Sequence, residues 1–100
     1  MDVFTLLVQC GRAPGDGLPD GSTGAALVCY ASGRDEAEAV RETVAILKAA
    51  GLAPLDVQGY GGVADREAEG DEIGDDDRAL MARARDENAV IVAQMEPLFD

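Results

Sequence analysis

Apolar and polar positions along the first third of the chain predict two strands joined by a long loop. Residues 3–10 and 25–31 are rich in aliphatic, aromatic and β-branched side chains, which is typical of strands. Residues 11–24 contain five glycines and two prolines and show no apolar period, which predicts a loop of fourteen residues. Loops of this length are uncommon in small domains and are often functional or mobile.

The remainder of the chain predicts two helices and two further strands. Residues 33–50 form the clearest helix, because apolar side chains recur there every three or four positions. Ser32 is the expected N-cap and Gly51 the expected residue after the last turn. Pro97 is expected to end the last strand. The pattern also predicts, in chain order, a strand over 52–60, a helix over 75–87 and a strand over 89–95.

This β-β-α-β-α-β order predicts a single α+β domain over residues 1–100. The expected architecture is a two-layer sandwich, in which two helices cover one face of a four-stranded mixed sheet. It resembles the ferredoxin-like class in architecture, and a short extra strand around Val63 would bring it closer to that class. Alternation along the strands leaves one face open, with the side chains of Thr5, Leu7, Gln9, Val28, Tyr30, Gln58, Tyr60, Val92 and Gln94.

The open face mixes leucine and valine with tyrosine and glutamine, and three interpretations of it compete. It is a solvated surface, the interface of a sheet-to-sheet homodimer, or one wall of a small-molecule cleft. Tyrosine favours interfaces because its ring is apolar and its hydroxyl is polar. The residues predicted to bind a partner are Tyr30, Gln58, Tyr60 and Gln94.

Charge and composition exclude several functions. Twenty acidic residues against eight basic ones give a formal charge of -12, which repels nucleic acids and anionic membranes. We therefore expect neither as a partner. The chain has no histidine, so a Ser-His-Asp triad, a Cys-His pair and imidazole metal ligands are all excluded.

The cysteines and the N-terminal segment indicate a protein of the cytoplasm. A hairpin over the first two strands places Cys10 near Ala25 and Leu6 near Cys29, so the two thiols are too far apart for a disulfide. Free thiols fit a reducing compartment. The first apolar run is too short to span a bilayer, and Asp2 stands where a signal peptide carries positive charge. The abundance of arginine and alanine hints at a bacterial genome.

An acidic stretch over residues 65–77 contains eight acidic residues and one basic residue. The spacing of Asp65, Glu67, Glu69 and Asp76 resembles a twelve-residue calcium loop. It departs from that pattern because longer glutamates stand at the third and fifth positions and a shorter aspartate closes the loop. We favour a solvated acidic loop, and we predict neither a metal nor a cofactor.

Two functional hypotheses remain, and neither names a reaction. The first is an acidic binding or regulatory module that contacts a second copy or another protein through the open face. The second is a small enzyme or ligand-binding protein with a cleft near Asp56, Tyr60 and Arg34, in which Asp56 acts as acid or base. In addition, Ser32 and Arg34 at the start of the first helix form a candidate anion site. The sequence favours the binding module over the enzyme.

Overall fold

Four strands form one antiparallel sheet in the computed structural model, which describes residues 2–70 and 72–99. The strand order is β3-β1-β2-β4, and all three pairings are antiparallel. None of the helices in the described part of the chain has the length and apolarity needed to cross a bilayer. The elements are β1 (Asp2–Cys10), β2 (Gly24–Gly33), α1 (Glu36–Ala49), β3 (Pro54–Gly62), α2 (Val63–Ala68), α3 (Asp75–Asp86) and β4 (Val90–Leu98).

The β1–β2 hairpin has the predicted register. Cys10 lies opposite Ala25 and Leu6 lies opposite Cys29. Both cysteines are buried and free, and burial raises the pKa of Cys29 to about 11. Because a thiol with that pKa stays protonated near neutral pH, it acts as an apolar core residue rather than as a nucleophile.

The two sides of the sheet bury different side chains, because successive residues of a strand point to opposite faces. The face that packs against α1, here called the first face, buries Phe4, Leu6 and Val8 of β1 against Ala39 and Leu47 of the helix.

The opposite side, here called the second face, packs against α3. Val3 and Tyr30 of the strands form a separate cluster there with Met81 and Ala84 of α3. Val63, at the start of α2, packs against the same cluster. Helices α1 and α3 therefore lie on opposite faces of the sheet.

The predicted sandwich with both helices on one face is therefore wrong, and the sheet is antiparallel rather than mixed. The ferredoxin-like topology is not confirmed by the strand order either. The physical reason is visible in β1 and β2, which read as nearly continuous apolar runs. Such runs are typical of strands that are covered on both faces.

Helix α1 begins at a different cap from the one predicted. Ser32 is not the N-cap, because it is the penultimate residue of β2 and lies opposite Val3. The cap is Asp35, whose side chain accepts a hydrogen bond from the backbone N–H of Glu38 at 2.8 Å. An aspartate in this position satisfies one of the amides that the first helical turn leaves unpaired.

A short helix, α2, begins at Val63, around which the sequence left room for an optional extra strand. The structure has the helix there and not that strand. Asp65 stabilises the start of the helix, because its side chain accepts a hydrogen bond from the backbone N–H of Gly62 at 2.9 Å. The chain passes directly from β3 into α2, and α2 packs against β3 and β1.

The last strand is longer than predicted and contains an irregularity. It continues through Pro97, which lies opposite Ala25. Because β4 is an edge strand, the missing proline N–H is tolerated. The register also shifts between Val28 and Cys29, so Val92 lies opposite Cys29 on the first face. The predicted placement of Val92 on the open face is therefore wrong.

The predicted loop over residues 11–24 ends one residue earlier, because Gly24 belongs to β2, and the connection over residues 11–23 is packed against the sheet. The side chain of Leu18 is buried in the core of the first face. Arg12 donates hydrogen bonds to the side chain of Asp16 and to the carbonyl oxygen of Ser22, at 2.9 and 2.8 Å. The contact with Arg12, together with hydrogen bonds from two backbone amides, holds the pKa of Asp16 well below its usual range.

Thr43 of α1 brings a polar atom into the core. Its side chain is fully buried, and its hydroxyl oxygen has no hydrogen-bond partner among the described residues. We expect Thr43→Val to raise the free energy of unfolding by about 1 kcal/mol, because valine keeps the shape and removes the unpaired hydroxyl. Urea denaturation followed by circular dichroism measures the change.

The matched control is Thr43→Ser, which keeps the hydroxyl and loses the methyl group. It is expected to lower the free energy of unfolding by about 1 kcal/mol. Destabilisation by Thr43→Val would show instead that the hydroxyl is paired in solution.

Candidate functional site

The helical layer on the second face covers only part of the sheet. Helices α2 and α3 pack over one end, whereas Gln9, Gln58 and Gln94 are exposed. A cavity of about 370 Å³ lies where strands and helices meet, and we call it the sheet-face pocket. It is lined by Thr5, Val28, Tyr30, Tyr60, Arg66, Asp77 and Gln94.

Tyr30 and Asp77 form a fixed hydrogen-bonded pair in this pocket. Tyr30 is only 3% exposed, and its hydroxyl donates to Oδ1 of Asp77 at 2.8 Å. Burial and the neighbouring Asp77 carboxylate raise the pKa of Tyr30. The Tyr30 hydroxyl therefore remains protonated and keeps the carboxylate in place. Asp77 lies in the first turn of α3, where the helix dipole stabilises a negative charge.

Arg66 supplies a positive charge to the same pocket from α2. Its Nη1 donates to the hydroxyl of Thr5, 61 residues away in the chain, at 3.1 Å. The hydrogen bond joins the short helix to the central strand β1. The guanidinium and the Asp77 carboxylate therefore line one cavity, each of them positioned by a hydroxyl-bearing residue of the sheet.

Three of the four predicted binding residues are brought together here. Tyr30, Tyr60 and Gln94 line the pocket, where Tyr30 is buried and Tyr60 is 43% exposed. Gln58 lies opposite Leu7 on the same face, outside the lining. The two charged residues were missed because they belong to helices that were predicted either on the other face or not at all.

The two residues proposed for an anion site near the start of α1, Ser32 and Arg34, make other contacts in the structure. Arg34 Nη2 lies 2.7 Å from a carboxylate oxygen of Glu38, and the backbone N–H of Arg34 also donates to Glu38. Arg34 lowers the pKa of Glu38 below its usual value. Asp35 takes the amide at the third helical position, and Ser32 is buried within β2. The helix start is thus occupied by the chain's own carboxylates.

The cleft that was predicted near Asp56, Tyr60 and Arg34 does not form. Asp56 lies opposite Gln9, whereas Arg34 follows Gly33, which lies opposite Asp2 at the other end of β1. Seven residues of strand separate the two positions, which is about 24 Å. Asp56 is exposed on the edge strand β3, where a charge discourages pairing with another sheet.

The calcium-like spacing is not realised as a loop either. Asp65 and Glu67 lie in α2, and Asp76 lies in α3. Within residues 2–70 and 72–99, no group of three or more cysteine or acidic side chains is placed to hold a metal ion. Asp71, also part of the acidic stretch, lies outside the described residues.

Comparison with protein families adds one finding. A family model described as "Domain of unknown function (DUF8846)" matches residues 3–99. The chain belongs to this family. The matched segment includes every residue that lines the sheet-face pocket. Comparisons with curated proteins and with solved structures found no match.

Proposed function

We propose that this protein is a small binding module, and that its ligand site is the sheet-face pocket. The observation that carries the proposal is that two opposite charges, each held by a hydroxyl group of the sheet, line one cavity. Arg66 is held by Thr5 and Asp77 is held by Tyr30, beside the ring of Tyr60 and the amide of Gln94. Cavities that combine an apolar wall with a few fixed polar groups are typical of small-molecule sites.

The charge of the chain narrows the class of ligand. A net charge of -12 opposes anions, whereas one arginine and one aspartate in the lining suit a neutral polar or zwitterionic molecule. Binding is favoured over catalysis because the Tyr30 hydroxyl is committed to Asp77 and its raised pKa keeps it protonated. The two free cysteines support a reducing, cytoplasmic setting for this module.

Titration of ¹⁵N-labelled protein with the common amino acids and nucleosides tests the proposal. We expect one of these compounds to shift the amide signals of Tyr60 and Gln94 in a saturable way. Tyr60→Ala and Gln94→Ala should each weaken that binding about tenfold, because each removes a wall or an amide contact.

Gln58→Ala is the matched control, since Gln58 lies on the same face but outside the lining. It should leave the affinity unchanged. The proposal fails if none of these compounds binds, or if Gln58→Ala weakens binding as much as Gln94→Ala does.

A homodimer through the second face is the second candidate. Where no helix covers this face, Leu7 and Val28 are half-buried and Tyr60 is 43% exposed. Pairing two such faces would remove this apolar area from water. Light scattering should then give about twice the 10.4 kDa of one chain, and Tyr60→Asp should restore the single-chain mass. A wild-type protein that remains at 10.4 kDa at every concentration would exclude the dimer.

A further inference from the structure

A second cavity on the same face has a different character from the sheet-face pocket. It measures about 240 Å³ and lies between the start of β1, the start of α2 and one side of α3. We call it the arginine pocket, because Arg78 and Arg85 both line it. The two cavities have no lining residue in common.

The spacing of the two arginines places them on one side of α3. Seven residues correspond to almost two full helical turns, or about 10.5 Å along the axis. Met81 and Ala82, which lie between them in the chain, also line the cavity. Val3 of β1 lines it as well and is buried with Met81. The cavity therefore combines apolar walls with two arginine side chains of α3.

The charges around the arginine pocket are unusual for this chain. Two of its eight basic residues line one small cavity, although acidic residues outnumber basic ones by twenty to eight. Asp2 lies at the same cavity, where its Oδ1 accepts a hydrogen bond from the backbone N–H of Val3 at 2.8 Å. The lining itself therefore holds two guanidiniums and one carboxylate, in a chain whose charge is otherwise dominated by acids.

The existing contacts of the two guanidiniums are long, and both arginine side chains are about half exposed. Arg78 Nη1 lies 4.0 Å from a carboxylate oxygen of Glu67, and its Nε donates to the carbonyl oxygen of Ile73 at 3.3 Å. Arg85 Nε lies 3.4 Å from the carboxylate of Asp86. Exposed ion pairs of this kind contribute little to stability, so an incoming carboxylate can replace them.

From this arrangement we infer that the arginine pocket binds a small organic carboxylate with an apolar body. The guanidiniums would hold the carboxylate, because their paired N–H groups match its two oxygens. Val3, Val63 and Met81 would contact the hydrocarbon part. Inorganic phosphate has no apolar part, and a neutral molecule would leave the arginines without a ligand anion.

The test titrates hexanoate into protein labelled with ¹³C in the methionine methyl groups. The Met81 methyl signal, assigned by Met81→Leu, should shift in a saturable way at millimolar hexanoate. The Met95 methyl is the internal reference, because Met95 is 53% exposed on β4, away from the cavity. Hexanamide and inorganic phosphate are the two comparison probes, and both should bind at least about tenfold more weakly than hexanoate.

Matched variants distinguish binding at the two arginines from a long-range electrostatic effect of the whole protein. Arg78→Gln and Arg85→Gln should each weaken hexanoate binding at least about fivefold. Arg83→Gln changes the net charge equally, but Arg83 pairs with Glu87 and does not line the cavity, so it should leave binding unchanged. Glutamine is a good helix former, and equal melting temperatures would show that α3 is intact.

The inference is overturned if the Met81 signal does not move or if hexanamide binds as tightly as hexanoate. An equal loss of affinity in Arg83→Gln also overturns it, because the effect would then be a long-range one. It is independent of the sheet-face pocket, since Tyr60→Ala should leave hexanoate binding intact.

Discussion

Replacing Leu18 with alanine is expected to lower the free energy of unfolding by about 3 kcal/mol. Leu18 belongs to the loop over residues 11–23, yet its side chain is only 7% exposed and is part of the first-face core. Truncation removes apolar contacts and leaves a cavity that the strands cannot close. Equilibrium denaturation in urea, followed by circular dichroism, measures the difference from the wild type.

Leu55→Ala provides the comparison for this prediction. Leu55 lies in a regular strand, but its side chain is 73% exposed, so its truncation should change the free energy of unfolding by less than about 0.5 kcal/mol. The truncation in the loop is therefore expected to destabilise the protein more than the truncation in the strand, which is the opposite of what secondary structure alone suggests. Equal effects of the two truncations would mean that Leu18 leaves the core in solution and that the loop is a mobile element.

The packing of this loop could not be predicted, because no periodic pattern marks a single buried leucine among turn residues. The glycines and prolines correctly predicted turns in this segment, but they do not indicate which side chain of the loop packs into the core. The contacts that fix it join Arg12 to Asp16 and to Ser22, up to ten residues away. A basic residue four positions before an acidic one was the only local signal.

The strands were easier to predict than the faces that they bury. The hairpin register follows from where the apolar runs of β1 and β2 begin and end, so Leu6 was correctly placed opposite Cys29. Which face each helix covers depends on strand order and on the path of each connection, and these are tertiary properties. In β1 the apolar residues Val3 and Leu7 alternate with Phe4 and Leu6, and this pattern was the available indication that both faces of the sheet are covered.

In the candidate site, too, the residues on strands could be predicted and the residues on helices could not. Tyr30, Tyr60 and Gln94 were expected to share a face because the period of a strand is two, and they line one cavity. Arg66 and Asp77 belong to α2 and α3, and no local sequence pattern indicates that these helices lie over that face. The acidic stretch looked like a solvated loop. Its capping residue Asp65 was the signal for α2, but the calcium-like spacing offered a competing interpretation.

Replacing Gly24 with alanine is expected to lower the free energy of unfolding by about 3 kcal/mol, through a steric collision. A Cβ added at Gly24 would overlap the backbone carbonyl oxygen of Cys10. That oxygen belongs to the last residue of β1, so it cannot move without disturbing the pairing of Cys10 with Ala25. Thermal and urea denaturation should both show the loss.

Gly21→Ala is the comparison for an alanine at a positive φ without a steric collision. Gly21 has a φ of +84° and has no atoms within 4 Å of an added Cβ, so alanine there should cost only about 1 kcal/mol. The excess loss in Gly24→Ala reflects the collision together with the different backbone conformation at Gly24, whose φ is +157°. Because Gly24 also pairs with Leu98 of β4, that collision should loosen the strand that carries Gln94. Equal losses in the two variants would show that the closed end of the hairpin can open without strain.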